Sequence, residues 1–342
     1  MSKEVILTGL RANGELTLGN YLGALKPIVN LANSKADICQ INLFMPDLHS
    51  IVTEVDYSEL QNQIFHTLKQ YVAAGLDLHN ANIMVYRQSY ISAHSELAWI
   101  FDCFTGFGEA SRMVEFKDKS SQLGDDRVSV GLFNYPMLMA ADILLYDAKW
   151  VPVGEDQRQH LELARTLAER FNNKFGKLFI VPEHSHKQVE FAGLTEPLRI
   201  RSLRNPEKKM SKSINDPAGT ILLSDAPDTA VKKIMSATTD SVGSINYDFS
   251  AQPGVSNLLQ IDAYLSGQKL EDVINKWQGN TKYGDLKKSV ADIVHNFLTD
   301  FQTKYDKVDK IQLVNKLQSS ESAMAEVANA KLYKVQQAIG LR

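Results

Sequence analysis

The alternation of apolar and polar positions divides the chain into two unlike halves. Residues 4–10 read as a buried strand carried by Val5, Ile6 and Leu7, running into a glycine-punctuated turn from Gly9 to Gly14. From Thr17 onward, Leu18, Tyr21, Leu22, Leu25, Ile28 and Val29 recur at helical spacing. A second apolar run, 38–45, stops at Pro46-Asp47. Helices are predicted over 58–74 and 92–104, with a strand over 83–86 between them. Residues 135–146 read as a mostly buried helix. A strand over 150–153 follows, then a helix striped by His160, Leu163, Ala164, Leu167, Ala168 and Phe171. This alternation predicts an α/β fold with a parallel sheet. Residues 182–197 read as linker. Beyond about 222 no strong strand is visible, and helical patterns cover 231–235, 255–265, 270–277, 286–301 and the alanine-rich 308–339. The expected layout is an α/β domain over 1–216 followed by a helical domain over 217–342.

Composition narrows the class. The chain has 342 residues, which at ~150 per domain fits two domains. Its 44% hydrophobic and 23% charged residues are ordinary for a globular protein and argue against disorder. The longest apolar stretch, 137–146, is broken by Asp142 and falls short of the ~20 residues a membrane helix needs. The opening Met-Ser-Lys-Glu is too charged for a secretory signal. Cys39 and Cys103 lie in unrelated contexts and make neither a disulfide framework nor a zinc site, so a reducing, cytoplasmic setting is expected. The net charge is −3, which alone speaks against a nucleic-acid partner. Its distribution changes that: between Arg199 and Lys212 stand six positive residues against one acid, Glu207. Such a run is an ordinary solvated face, but on an acidic protein it also suits a polyphosphate or RNA backbone.

Four constellations could carry chemistry. Gly9, Gly14, Gly19 and Gly23 sit in a strand–turn–helix context that lets backbone approach phosphate. It is no P-loop, because Glu15 stands where lysine is required, and Gly106-Phe-Gly108 is only half a dinucleotide fingerprint. Lys208-Lys209-Met210-Ser211-Lys212-Ser213 combines flexible cations with small hydroxyls, as a mobile phosphate-binding loop would; an exposed basic loop explains the charge but not this order. Asp142 lies in an apolar helix, where a carboxylate is costly unless partnered, by the protein or by a ligand donor. Finally, Val151-Pro-Val-Gly154-Glu155-Asp156-Gln157 places polar groups where a strand gives way to a helix, the usual ligand position in α/β sheets, though Asp156 could simply cap that helix.

Together these residues resemble the bacterial-type tryptophanyl-tRNA synthetases, class I aminoacyl-tRNA synthetases, over nearly the whole chain. The His-Ile-Gly-His signature of the class takes the form Thr17-Leu18-Gly19-Asn20, and Lys-Met-Ser-Lys-Ser is intact at 209–213. The stretches 138–146, 151–157, 159–163, 254–259 and 266–268 match family segments as well. The resemblance implies a Rossmann-like catalytic domain with a dimer-forming insertion at about 90–150, an anticodon-reading helical domain, and a symmetric homodimer joined through helices near 99–116. It leaves open whether the last helix packs back on the catalytic domain.

The implied reaction activates L-tryptophan with ATP and transfers it to tRNA(Trp), with Mg²⁺ accompanying ATP and neither a structural metal nor a membrane involved. The resemblance assigns catalysis to Lys209, Lys212, Asn20 and Thr17. It assigns ATP to Arg11, Ala12, Asn13, Gly19, Asn20, Gly154, Glu155, Asp156, Ile200, Lys209, Met210, Ser211, Lys212 and Ser213, with Ile200 against adenine. It gives the tryptophan pocket Asp142 as acceptor for the indole N–H, Met139, Val151 and Val153 as walls, Tyr135 and Gln157 at the α-amino end, and His49, Leu7 and Gly9 nearby. Lys232, Lys233, Lys282, Lys287 and Lys288 are candidate RNA contacts, each also readable as a solvated surface lysine.

The chain departs from the family pattern in places. Arg11-Ala12-Asn13-Gly14 replaces the common Gln-Pro-Ser-Gly, so a guanidinium is offered to a carboxylate or phosphate; Leu7 replaces a common aromatic, Leu48 a common glutamine and Arg201 a common methionine. Affinities rather than the reaction are put in question. The rival expectations are a tyrosyl-tRNA synthetase, a catalytically silent RNA-binding paralogue, and a small-molecule adenylyltransferase. The Met-Ala-Ala-Asp helix, the intact lysines and the long helical half speak against them in turn.

Overall fold

The computed structural model describes residues 3–11, 14–53, 55–113, 128–154, 157–193, 198–211 and 216–342. Four parallel strands, β1 (Glu4–Thr8), β2 (Cys39–Met45), β3 (Ile83–Arg87) and β4 (Ala148–Trp150), form a sheet in the order β3-β2-β1-β4. Ile6 pairs with Ile41 and Leu43 with Val85, so the register sets apolar rows side by side. Side chains alternate between faces. Ile6, Ile41 and Leu43 belong to one core, and Leu7 belongs to the core on the opposite face.

The first connection is α1 (Leu18–Asn20), a π-helical stretch at Tyr21–Leu25, and α2 (Lys26–Lys35). α3 (Asp47–Ser50) and α4 (Leu60–Ala73) lie between β2 and β3; α5 (Ala93–Phe104), α6 (Phe107–Ala110) and α7 (Val130–Leu144) lead to β4. α8 (Arg158–Phe175) and α9 (Ser185–Ala192) follow, and then the helical half: α10 (Pro227–Met235), α11 (Pro253–Ser266), α12 (Leu270–Trp277), α13 (Tyr283–Asp306) and α14 (Lys310–Ala338). The first core continues from the sheet into this half: Tyr21 packs its ring against Phe297 and Phe301 of α13, with centroids at 4.6 and 5.6 Å.

Two expectations are corrected. The strand expected over 150–153 is Ala148–Trp150, and the chain has left the sheet by Val151. Pro152 has no N–H for a ladder, and the Val151 N–H donates to the Gln188 side chain at 2.8 Å. The expected linker over 182–197 contains α9, whose buried Gln188 also donates to the carbonyls of Lys149 and Glu183. Phe191 of α9 stacks flat on Trp150 at 3.8 Å, so this segment covers the β4 edge.

The other edge is covered by the last helix. The outward N–H groups of β3 donate to α14: Val85 to the Ser320 hydroxyl at 3.2 Å, Arg87 to Glu321 at 3.3 Å. The Arg87 guanidinium also grips Glu321 through Nε (2.6 Å) and Nη2 (2.9 Å), with both side chains nearly buried. Farther along, Lys331 reaches the Asp147 carboxylate at 2.6 Å. The last helix therefore packs back on the sheet. Removing one member of a buried ion pair leaves an uncompensated charge. Glu321→Ala should cost about 3 kcal/mol, read as a lower urea midpoint, whereas Arg87→Met/Glu321→Leu should recover most of it. Equal losses in the two variants would contradict this account.

Candidate active site

A cavity of about 300 Å³ opens where β1, β2 and the run-out of β4 end, the position α/β sheets reserve for ligands. Its lining includes Leu7, Gly9, Arg11, His49, Tyr135, Met139, Asp142, Val151, Val153 and Gln157. The whole set expected around tryptophan is thus brought together, with Arg11 at the same cavity. Gly9 is needed for close approach, since a Cβ there would lie 2.1 Å from the Phe44 carbonyl oxygen. Thr8, Leu10, Phe44, Pro46, Val52, Thr53, Ile143 and Pro152 also line the cavity and were not anticipated from the sequence.

Asp142 is fully buried on α7. Among the described residues three donors reach it. Gln88 Nε2 (2.7 Å) and His94 Nδ1 (2.6 Å) meet Oδ1, and His49 Nε2 (2.9 Å) meets Oδ2. Burial pushes its pKa up, but the hydrogen bonds from His49 and His94 prevail and hold the carboxyl below its ordinary value. Of the two kinds of partner open to a buried carboxylate, the protein itself supplies most, so its burial does not depend on a ligand. Gln88 and His94 escaped the sequence reading. The available signals were a Gln-Ser pair directly after a strand, and a histidine on the apolar face of α5.

The surroundings are equally fixed. Gln88 Oε1 accepts the Leu48 N–H at 3.1 Å, and the Asp47 carboxylate accepts the N–H and hydroxyl of Ser89. These bonds tie α3 to the turn after β3. The Tyr135 hydroxyl is 2.8 Å from His160 Nε2.

The residues expected around ATP fall into separate places. Thr17 is fully buried, and its hydroxyl accepts the Asn20 N–H at 3.0 Å while Asn20 Oδ1 accepts the Thr17 N–H at 3.1 Å. This reciprocal cap fixes the helix start. Thr17 thus braces the helix start that carries Gly19 and Asn20. Gly19 abuts Met210, whose buried side chain anchors the basic hairpin, and Ile200 is buried in the core. Both the Met210 and the Ile200 side chains pack into the first core.

The hairpin closes through Met210 N–H to the Ile200 carbonyl (2.9 Å) and a bridge between Arg201 and Lys209. Asn257 of α11 clamps it, accepting the Arg201 N–H at 2.8 Å and donating to its carbonyl at 3.0 Å. Lys209 and Ser211 face a second cavity of about 220 Å³, shared with Arg204, Lys208 and Asp216. Gly154 is exposed in the loop after β4. Ala12, Asn13, Glu155, Asp156, Lys212 and Ser213 lie outside the described residues. Of the candidate RNA lysines, Lys233 is bound to Asp225 (2.6 Å) and the Thr220 carbonyl (2.8 Å), and Lys287 to the Ala237 carbonyl (2.7 Å). These two brace the helical half internally.

A parallel sheet with a cavity at its carboxyl edge and a hairpin bearing Lys209-Met210-Ser211 beside its first helix is the arrangement of a class I aminoacyl-tRNA synthetase. The family described as tRNA synthetases class I (W and Y) matches residues 2–299. The tryptophan–tRNA ligase of Corynebacterium glutamicum is 47% identical over 338 residues, covering 98% of this chain and 94% of that protein. That of Caldanaerobacter subterraneus subsp. tengcongensis is 42% identical over 337 residues, covering 98% of each. Among solved structures, the tryptophanyl-tRNA synthetase of Mycoplasma pneumoniae superposes with a TM-score of 0.82 at 33% identity, covering 100% of this chain and 99% of that one. The Campylobacter jejuni enzyme, complexed with ADP and tryptophan, gives 0.78 at 29% identity, covering 98% and 99%. The chain belongs to the class I tRNA synthetases for tryptophan and tyrosine, in their tryptophan–tRNA ligase branch.

Proposed function

We infer that this protein is a tryptophan–tRNA ligase, which activates L-tryptophan with ATP and transfers it to tRNA(Trp). The observation that carries the tryptophan assignment is Asp142, a buried carboxylate on a 300 Å³ cavity walled by Met139, Val151 and Val153. Indole N–H is a donor only and needs an acceptor. A buried acceptor left unpaired penalises phenylalanine strongly. Tyrosine can donate as well, so the cavity's shape must exclude it.

In the first step the tryptophan carboxylate oxygen attacks the α-phosphorus of ATP. The bond to the α–β bridging oxygen breaks, and pyrophosphate leaves with that electron pair. In the second step a ribose hydroxyl of the terminal tRNA adenosine attacks the acyl carbon, and AMP departs. Both first-step reactants are anions, so positioning and charge stabilisation dominate the task. Lys209 and Lys212 neutralise the leaving pyrophosphate. Gly19 and Asn20 approach the phosphates from the helix start, Gly154 to Asp156 hold the ribose, and Tyr135 and Gln157 hold the amino group. Mg²⁺ enters on the triphosphate and offsets its charge. Among the described residues no group of three His, Cys, Asp or Glu side chains is placed to hold a metal ion.

The helical half, 217–342, reads the tRNA, with Lys232, Lys282 and Lys288 as candidates for phosphate contacts of the positioning kind. The exposed Trp99, Phe107 and Val130, on helices of the 90–150 region, support a homodimer surface. No helix among the described residues is long and apolar enough to cross a membrane. The free thiols Cys39 and Cys103 suit work in the cytoplasm.

Amino-acid-dependent ATP–pyrophosphate exchange tests this reading. Exchange with tryptophan and not with tyrosine or phenylalanine is expected. Exchange with tyrosine would overturn the substrate, and folded protein that binds tRNA but exchanges with none of the three would be a silent paralogue.

A further inference from the structure

We infer that His94 and Tyr146 are positioning residues for substrate selection: they fill one oxygen of Asp142 and leave a single acceptor direction, on its other oxygen, for the donor of the bound amino acid. This rests on the tryptophan reading above and deepens it.

The argument is a count of donors and lone pairs. His94 is fully buried, with Nδ1 2.6 Å from Asp142 Oδ1 and Nε2 2.8 Å from the Tyr146 hydroxyl. A neutral imidazole donates through one nitrogen and accepts through the other. Tyr146 is itself almost buried and keeps its proton, because burial drives its phenol far from ionisation. An ionised carboxylate only accepts, so Nδ1 carries a hydrogen aimed at Oδ1, and in the neutral ring Nε2 accepts the Tyr146 O–H. Gln88 supplies the second donor to Oδ1 at 2.7 Å. The amide of Gln88 cannot be reversed, since its oxygen accepts the Leu48 N–H at 3.1 Å.

Each carboxylate oxygen offers two lone pairs. Oδ1 is therefore full, while Oδ2 receives only His49 Nε2, at 2.9 Å, among the described residues. One lone pair of Oδ2 remains at a carboxylate that lines the cavity. A site with one fixed acceptor direction reads one N–H in one orientation. Without the Tyr146 hydroxyl, Nε2 loses the bond that fixes the tilt of the ring, and the Nδ1–H is no longer held in line with Oδ1. Asp142 loses its fixed aim, while the apolar walls of the cavity are untouched.

The test compares tryptophan with 3-(benzothiophen-3-yl)alanine, in which sulfur replaces the ring N–H. The readout is kcat/KM in pyrophosphate exchange with the full chain. In Tyr146→Phe the preference for tryptophan over this isostere should drop about tenfold, the worth of one well-aimed hydrogen bond, through KM for tryptophan with kcat kept. His94→Asn, whose amide can still donate towards Oδ1, should keep most of the preference, and His94→Leu should lose it. If tryptophan and the isostere fall together in Tyr146→Phe and His94→Leu, or the preference stays unchanged, the two residues only hold the fold and the proposal is overturned. Failure of the tryptophan reading would look different, because the unaltered protein would then show no tryptophan-dependent exchange.

Discussion

Asp142→Ala is expected to lower kcat/KM for tryptophan in pyrophosphate exchange by about 10⁴-fold, the scale on which a site built around a hydrogen bond rejects a partner that cannot make it. Two losses combine. The substrate donor finds no acceptor, and Gln88, His94 and His49 are left pointing at an empty position. Stranded buried donors cost about 1–3 kcal/mol each at most, so the urea midpoint should fall as well. Asp142→Asn separates the two effects. It keeps the shape and one acceptor oxygen but sets an amide N–H₂ against protein donors, so activity should drop about 10²-fold with a smaller loss of stability. If Asp142→Asn keeps full tryptophan activity, charge and acceptor count at this position do not matter.

The acid dependence follows from the same contacts. Asp142 is held below its ordinary pKa when folded. A depressed folded pKa contributes stability that is fully present above the unfolded value and is lost as pH falls through the folded one. The KM for tryptophan should therefore stay flat from neutral pH down to about pH 5, and this group's loss should come only below the usual carboxylate range. A rise in KM already under way above pH 5 would mean that a group other than Asp142 sets the acid dependence.

Much of the fold is legible in the sequence because its signals are local. Apolar runs give β1 to β3, and 3.6-residue periodicity gives α4, α5, α8 and every helix from α10 onward. The misreadings share a cause: a side chain far away in the sequence decides them. β4 stops early because Gln188 takes the Val151 N–H, and the supposed linker is helical because Phe191 has Trp150 to stack on. The site divides in the same way. Asp142 is conspicuous as a carboxylate in an apolar helix. Gln88 and His94 are not, because their meaning appears only once β3 and α5 are brought against α7. Thr17, Met210 and Ile200 illustrate the converse. They stand in signature stretches that the sequence makes conspicuous, yet their burial appears only once the fold is formed.

Lys209→Ala and Lys212→Ala should each lower kcat for exchange by about 10²–10³-fold while leaving the KM for tryptophan nearly unchanged, the size seen when one donor to developing charge is removed. Lys209 is exposed, and its backbone, not its side chain, makes the bridge to Arg201. Truncation should then leave the hairpin, the Asn257 clamp and the denaturation midpoint intact, so the loss reads on chemistry. A cation that meets the departing pyrophosphate is worth most when the α–β bond is breaking, and an interaction stronger in the transition state than in the ground state appears in kcat. A rise in the KM for ATP with kcat preserved would mean that the lysine binds ground state and transition state alike. Lys209→Arg should recover only part of the rate, because a planar fork does not replace a compact ammonium on a short hairpin. Because the two lysines would act on one leaving group, the double variant should lose less than the product of the single effects. Two independent full losses that multiply would assign them to different charges, one to the leaving pyrophosphate and the other to the α-phosphoryl group or the incoming carboxylate.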